Sequence, residues 1–149
     1  MKEQADKSAA RASILAAELR TVFGALKRRL REQASAGDLT SSQTSVLGRL
    51  DRDGPATVST LARAEGVRPQ SMGATVAALE AAGLVAGAPD PNDGRQTILS
   101  LTDACRKWIK EGRAAQQDWL FRTIQARLDR RQQEELSAAL GVLKRLVED

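Results

Sequence analysis

The stretch TVSTLARAEGVRPQSMGATVAALEAAGLVAGAPDPNDGRQTILSLT, residues 57–102, decides the fold. It divides into a short helix, a tight turn, a second helix and a β-hairpin with a polar tip. Thr57 or Ser59 can cap the first helix, whose Val58, Leu61 and Ala62 then share one face. Glu65-Gly66-Val67 reads as the turn, with Gly66 free to take positive φ. Pro69 suits the first turn of the next helix, where a missing N–H is harmless. Met72, Val76 and Leu79 follow at i, i+4 and i+7, one buried stripe. Gly83 ends this helix, and Leu84 supplies the apolar contact of a Schellman-type cap.

A helix-turn-helix followed by a hairpin is a winged helix, whose second helix suits the DNA major groove. Arg68, Gln70, Ser71 and Thr75 remain on or near the face away from the buried stripe. Gln can pair with adenine, Arg with guanine, and Ser or Thr with base or phosphate. At the hairpin tip Arg95 is the only cation. Asp93 is expected to orient its guanidinium, and Gly94 to supply the turn. The candidate DNA-binding residues are therefore Thr57, Ser59, Arg68, Gln70, Ser71, Thr75, Asp93 and Arg95.

These motifs resemble the MarR family of winged helix-turn-helix transcriptional regulators. Three pieces carry the resemblance in family order: Leu39 to Leu47, Leu79 to Val85, and Asp90 to Arg95 running into Leu101-Thr102. It covers nearly the whole chain and implies a homodimer on a palindromic operator in double-stranded DNA. It also implies a repressor released by a small molecule, such as an aromatic or phenolic effector, or by a redox signal. The chain departs from the family's commonest pattern at Gly73-Ala74, Ala86-Gly87-Ala88 and Asp93-Gly94-Arg95, where many members carry basic residues.

The charge is unevenly placed. The chain of 149 residues has a net charge of +4, which suits an anionic partner. Yet residues 40–101 hold five Arg, no Lys and six Asp or Glu, so the excess lies in the flanks. Modest, strongly salt-dependent DNA affinity is the expectation. The alternative is a winged-helix protein-interaction module with weak or lost DNA binding.

The flanking segments read as long amphipathic helices. From about Ser8 to Ala34, Leu15, Leu19, Val22, Leu26 and Leu30 form a heptad-like seam. Thr40-x-x-Gln43 is a capping box opening a helix with Val46, Leu47 and Leu50 inside, closed by Gly54-Pro55. Thr102 caps a long helix containing Trp108, Ile109, Trp119, Leu120, Ile124 and Leu128, and Asp129 with Gln132 starts another. Leu136, Leu140, Leu143 and Val147 repeat at helical spacing there. The fold class is thus mainly α with a small β-hairpin wing and about six helices. The organisation is one MarR-like domain over 1–149, with 39–102 as the winged helix-turn-helix and 1–36 and 103–149 as dimerisation helices. The dimer interface is expected at Leu15, Leu19, Val22, Leu26, Leu136, Leu140, Leu143 and Val147.

Other chemistry is sparse. There is no histidine, and Cys105 is the only cysteine, so the usual zinc sites and intrachain disulfides are excluded. Cys105 reads either as a small core residue or as a thiol activated by Arg106, Lys107 and a helix N-terminus. Trp108 and Trp119 read either as core or interface aromatics or as the lining of an effector cavity. No nucleophile elbow, phosphate loop or paired-ligand spacing points to an enzyme, and no cofactor is expected. Without an apolar signal core or membrane-length run, the expected setting is cytoplasmic, away from any membrane.

Overall fold

The coordinates are a computed structural model that describes residues 1–34 and 37–148. In chain order the elements are α1 (Lys2–Gln33), α2 (Ser41–Asp53), β1 (Ala56–Thr57), α3 (Val58–Glu65), α4 (Pro69–Ala81), β2 (Val85–Pro89), β3 (Thr97–Leu101), α5 (Asp103–Arg127) and α6 (Arg130–Lys144). Six helices and a small wing are the expected class. The chain divides into two compact units, Ala36–Gly112 and Met1–Ser35 with Arg113–Asp149.

The first unit holds the core. Val46, Leu47 and Leu50 of α2 meet Leu61 and Ala62 of α3, Met72, Val76 and Leu79 of α4, Val85 of β2 and Leu99 and Leu101 of β3. Every one is buried, and each large aliphatic contributes about 1.5–3 kcal/mol on leaving water. Cys105 closes this core from α5, with Trp108 and Ile109 half-buried against it. The first turns of α5 therefore pack with the winged helix, past the expected boundary at Thr102.

The helix ends are set by the anticipated residues. Thr40 and Gln43 form a reciprocal capping box on α2, as do Asp129 and Gln132 on α6. Thr57, rather than Ser59, caps α3 by accepting the Thr60 N–H at 3.2 Å. Gly66 (φ 66°) and Gly83 (φ 73°) are left-handed, and each is followed by a Schellman pair. Val67 N–H donates to Ala62 and Gly66 N–H to Arg63, while Leu84 N–H donates to Leu79 and Gly83 N–H to Glu80.

The sheet has one more strand than a hairpin. Its order is β1-β3-β2, all antiparallel, with Ala56 opposite Leu99 and Thr57 opposite Ile98. Gly87 sits at a close approach in the wing: a Cβ there would lie 2.6 Å from Thr97 Cγ2, so the Thr97 side chain would have to shift. Gly94 lies in the turn that the sequence suggests, without a positive φ. The Asp93–Gln96 turn closes through Gln96 N–H to the Asp93 carbonyl at 3.0 Å, a geometry open to other residues.

The second unit is built differently. Helix α1 starts six residues before the apolar seam requires, on good helix formers reinforced by a Lys7–Glu3 ion pair at 2.7 Å. Within this unit Gln116 of α5 donates to the Leu30 carbonyl of α1 at 3.1 Å. None of its described residues is buried. Leu15, Val22, Leu140 and Val147 stay exposed, and Leu19, Leu26, Leu136 and Leu143 reach only half-burial. Among the described residues no helix is long and apolar enough to cross a membrane.

Candidate nucleic-acid interface

The recognition surface is built outward from the α3–α4 turn. Arg68 is the N-cap residue of α4 and Pro69 its first residue, so Arg68, Gln70 and Ser71 cluster at the helix N-terminus. All three are exposed. The rest of that face is small: Ala74, Ala77, Ala78 and Ala81 are exposed and carry no polar group. Thr75 does not share this exposure. It lies three residues after Met72 and four before Leu79, at the edge of the buried stripe, and is half-buried. Its hydroxyl donates to the Ser71 carbonyl at 3.3 Å.

Of the two candidates on α3, Ser59 is exposed, whereas Thr57 is half-buried and occupied by its capping role. The Thr57 hydroxyl also shares a 3.0 Å hydrogen bond with the Thr60 hydroxyl. On the wing Asp93 holds the backbone of Arg95, not its guanidinium. The Asp93 carboxylate accepts the Arg95 N–H at 3.1 Å, and Asp90 likewise accepts the Asn92 N–H at 2.9 Å. A backbone N–H two residues on is within easy reach of a short side chain, whereas the guanidinium is not. Arg95 is thereby fixed at its base, and its guanidinium has no ion-pair partner among the described residues.

The near-neutral charge of this unit resolves residue by residue. Arg49 is consumed internally: its Nε donates to Glu65 Oε1 at 2.9 Å, and Asp53 lies at 3.9 Å. Ser45 Oγ lies 2.9 Å from both Glu65 oxygens. Arg63, Arg68 and Arg95 form no ion pair among the described residues, while Asp90 and Asp93 face wing amides. Arg63, Arg68 and Arg95 are thus left available, alongside the exposed acid Glu80 of α4.

The Ser45–Arg49–Glu65 cluster escaped sequence reasoning. Glu65 ends α3, where the helix dipole opposes a negative charge. The bonds from Arg49 and then Ser45 nonetheless hold its carboxyl below the usual carboxylate range, outweighing burial. A carboxylate in a last helical turn was the available signal that a partner was needed. Its effect is to tie α3 to α2 immediately before the turn that places Arg68.

Thr102 makes a second tie. Its hydroxyl accepts the Cys105 N–H at 3.1 Å and donates to the Gly83 carbonyl at 2.7 Å, joining the start of α5 to the end of α4. Cys105 has no exposed surface, and burial followed by Asp51 pushes its thiol up despite Arg106. Of its two readings, the core one holds.

An exposed, polar helix N-terminus in a helix-turn-helix, flanked by a three-stranded wing, defines a winged helix-turn-helix protein. A model of the MarR family matches residues 37–96. An HTH-type transcriptional regulator of Mycobacterium tuberculosis is 35% identical over 135 residues, covering 91% of this chain and 94% of the relative. The crystal structure of a putative transcriptional regulator from Pseudomonas aeruginosa is 37% identical, with a TM-score of 0.81 over 93% of this chain and 97% of that one. A Staphylococcus aureus MepR mutant bound to an oligodeoxyribonucleotide shares the fold at 21% identity and a TM-score of 0.67, over 89% of this chain and 97% of that one. This chain belongs to the MarR family of transcriptional regulators.

Proposed function

We propose that the protein is a dimeric, sequence-specific DNA-binding repressor released by a small-molecule effector. Helix α4 enters the major groove and the wing lies on the flanking backbone or minor groove. The observation that carries the DNA reading is the α4 N-terminus, where Arg68, Gln70 and Ser71 are exposed and Arg68 has no ion-pair partner among the described residues. HTH proteins present this end to base edges. Arg68 and Gln70 supply charge and hydrogen bonds, and the exposed alanines permit close approach. In this reading exposed Ser59 and Arg95 meet backbone phosphate, and half-buried Thr75 and Thr57 contribute more to holding the helices than to touching DNA. Asp93 acts by fixing Arg95.

Support for dimerisation lies in the second unit. A set of helices with no buried residue among those described, and with Leu15, Val22, Leu140 and Val147 exposed, leaves apolar surface in water that a second copy can cover. Leu19, Leu26, Leu136 and Leu143 lie on the same seams. Release by an effector is the mode that family membership suggests, and a small aromatic or phenolic molecule is its expected chemistry. The DNA reading is tested by a gel shift of the full-length protein on DNA upstream of its own gene. Retardation that resists competitor DNA is expected, and none at low salt would leave the protein-interaction reading.

A further inference from the structure

We propose that a basic stripe on α1, formed by Arg20, Lys27, Arg28 and Arg31, is an auxiliary binding surface for the DNA phosphate backbone. The inference rests on the DNA reading above and adds a surface outside the winged helix. On a helix of 3.6 residues per turn these four side chains fall within about 100° of one another. They extend along about 16 Å of α1. The apolar seam of Leu15, Leu19, Val22, Leu26 and Leu30 lies on the other side, centred roughly 150° away. The stripe is thus the face that packing leaves over, and all four residues are exposed.

What distinguishes it from an ordinary solvated face is that four unpaired cations cluster on one side of one helix. Several exposed cations elsewhere meet a carboxylate one turn away. Lys7 meets Glu3, Arg122 meets Asp118, Arg130 meets Glu134 and Arg131 meets Glu135, at 2.7–3.2 Å. Even Arg29, on another side of α1, reaches Glu32 at 3.4 Å. Arg20, Lys27, Arg28 and Arg31 have no ion pair among the described residues. Lys27 with Arg31, and Arg28 with Arg31, are instead like-charge neighbours at i,i+4 and i,i+3, which destabilises a helix unless an anion intervenes.

The occupant follows from charge complementarity. Residues 40–101 carry five arginines against six carboxylates, and Arg49 is tied up with Glu65. The positive excess that a polyanion needs lies in the flanks, and this stripe is its densest unpaired part. Arg31 is ten residues before the start of α2, so phosphate binding on the stripe is covalently tethered to reading by α4. Such binding raises affinity for every sequence equally, because phosphates carry no base information.

The test uses the full chain carrying Lys27→Gln, Arg28→Gln and Arg31→Gln together. Glutamine keeps helix propensity, and a charge-keeping Lys27→Arg/Arg31→Lys variant serves as control. Both are titrated over a salt series with a duplex selected by the wild type and with a scrambled duplex. The expected result is a log–log salt slope shallower by about 0.9 for each phosphate that a subunit no longer neutralises. Affinity at 0.15 M salt falls by about fivefold for each such phosphate, alike on both duplexes, and the control keeps the wild-type slope. A glutamine variant of unchanged helicity and unchanged slope overturns the proposal while leaving the DNA reading intact. So does loss of binding to phosphatidylserine vesicles without change on DNA, which would assign the stripe to a membrane surface. A wild type that binds neither duplex at low salt removes the DNA reading, and the proposal with it.

Discussion

Replacing Glu65 by Gln tests whether α3 is clamped to α2 by charge. The substitution keeps volume and one carbonyl oxygen but removes the negative charge that Arg49 and Ser45 share. Hydrogen bonds to a charged group are worth about 1.5–3 kcal/mol. The Glu65 side chain is 19% exposed and that of Arg49 29%, so solvent screens only part of this. One acceptor survives in Gln, so the expected loss is about 1–2 kcal/mol at pH 7. For a chain of this size that lowers Tm by about 3–6 °C. The pH dependence carries the sharper signature. Because the folded carboxyl titrates below its ordinary value, its stabilisation is present above the usual carboxylate range. It is lost as pH falls through the folded pKa. Urea denaturation at fixed protein concentration should therefore show wild type and Glu65→Gln well separated at pH 7, with the gap narrowing as acid protonates the folded carboxyl. A gap that is absent at pH 7, or that does not narrow on acidification before the protein unfolds, would refute the clamp.

Three further outcomes follow from the interface. Arg95→Ala should weaken DNA binding without changing Tm, flattening the salt slope by about one unit for each phosphate that a subunit ceases to neutralise; equal affinity at physiological salt would remove the wing from binding. Gln70→Ala should cost about 1–3 kcal/mol on the best site and relax preference at one or two base pairs, read from binding to a randomised duplex library, whereas non-specific affinity should hold. Cys105 should resist thiol reagents in native buffer and react only on denaturation, because its thiol is buried and its pKa raised; peroxide that releases DNA from the wild type but not from Cys105→Ser would contradict this.

What the sequence made legible was local and periodic. The Met72–Val76–Leu79 stripe, both capping boxes and the glycines at 66 and 83 each declare themselves within a few residues. Non-local partners did not. Strand β1 is two residues long, too short for any period, and exists because Ala56 and Thr57 find β3 some forty residues on. The Glu65 clamp joins residues 16 and 20 apart. Thr75 is half-buried where Arg68, Gln70 and Ser71 are exposed, because one helical position decides between exposed face and core edge. Gly94 was legible as a turn residue, since it sits in the Asp93–Gln96 turn. Asp93 was assigned to the right residue and the wrong atom, since a short carboxylate serves the nearest amide before a flexible guanidinium.

The most direct test of the central claim is selection by the purified full-length protein from a random duplex library at low salt. Enrichment of an inverted repeat is expected, with half-site centres about one DNA turn, roughly 34–36 Å, apart. That spacing would report two α4 helices held by a dimer. Failure to enrich any sequence, or enrichment of a single unrepeated half-site bound by a monomer, would contradict the account.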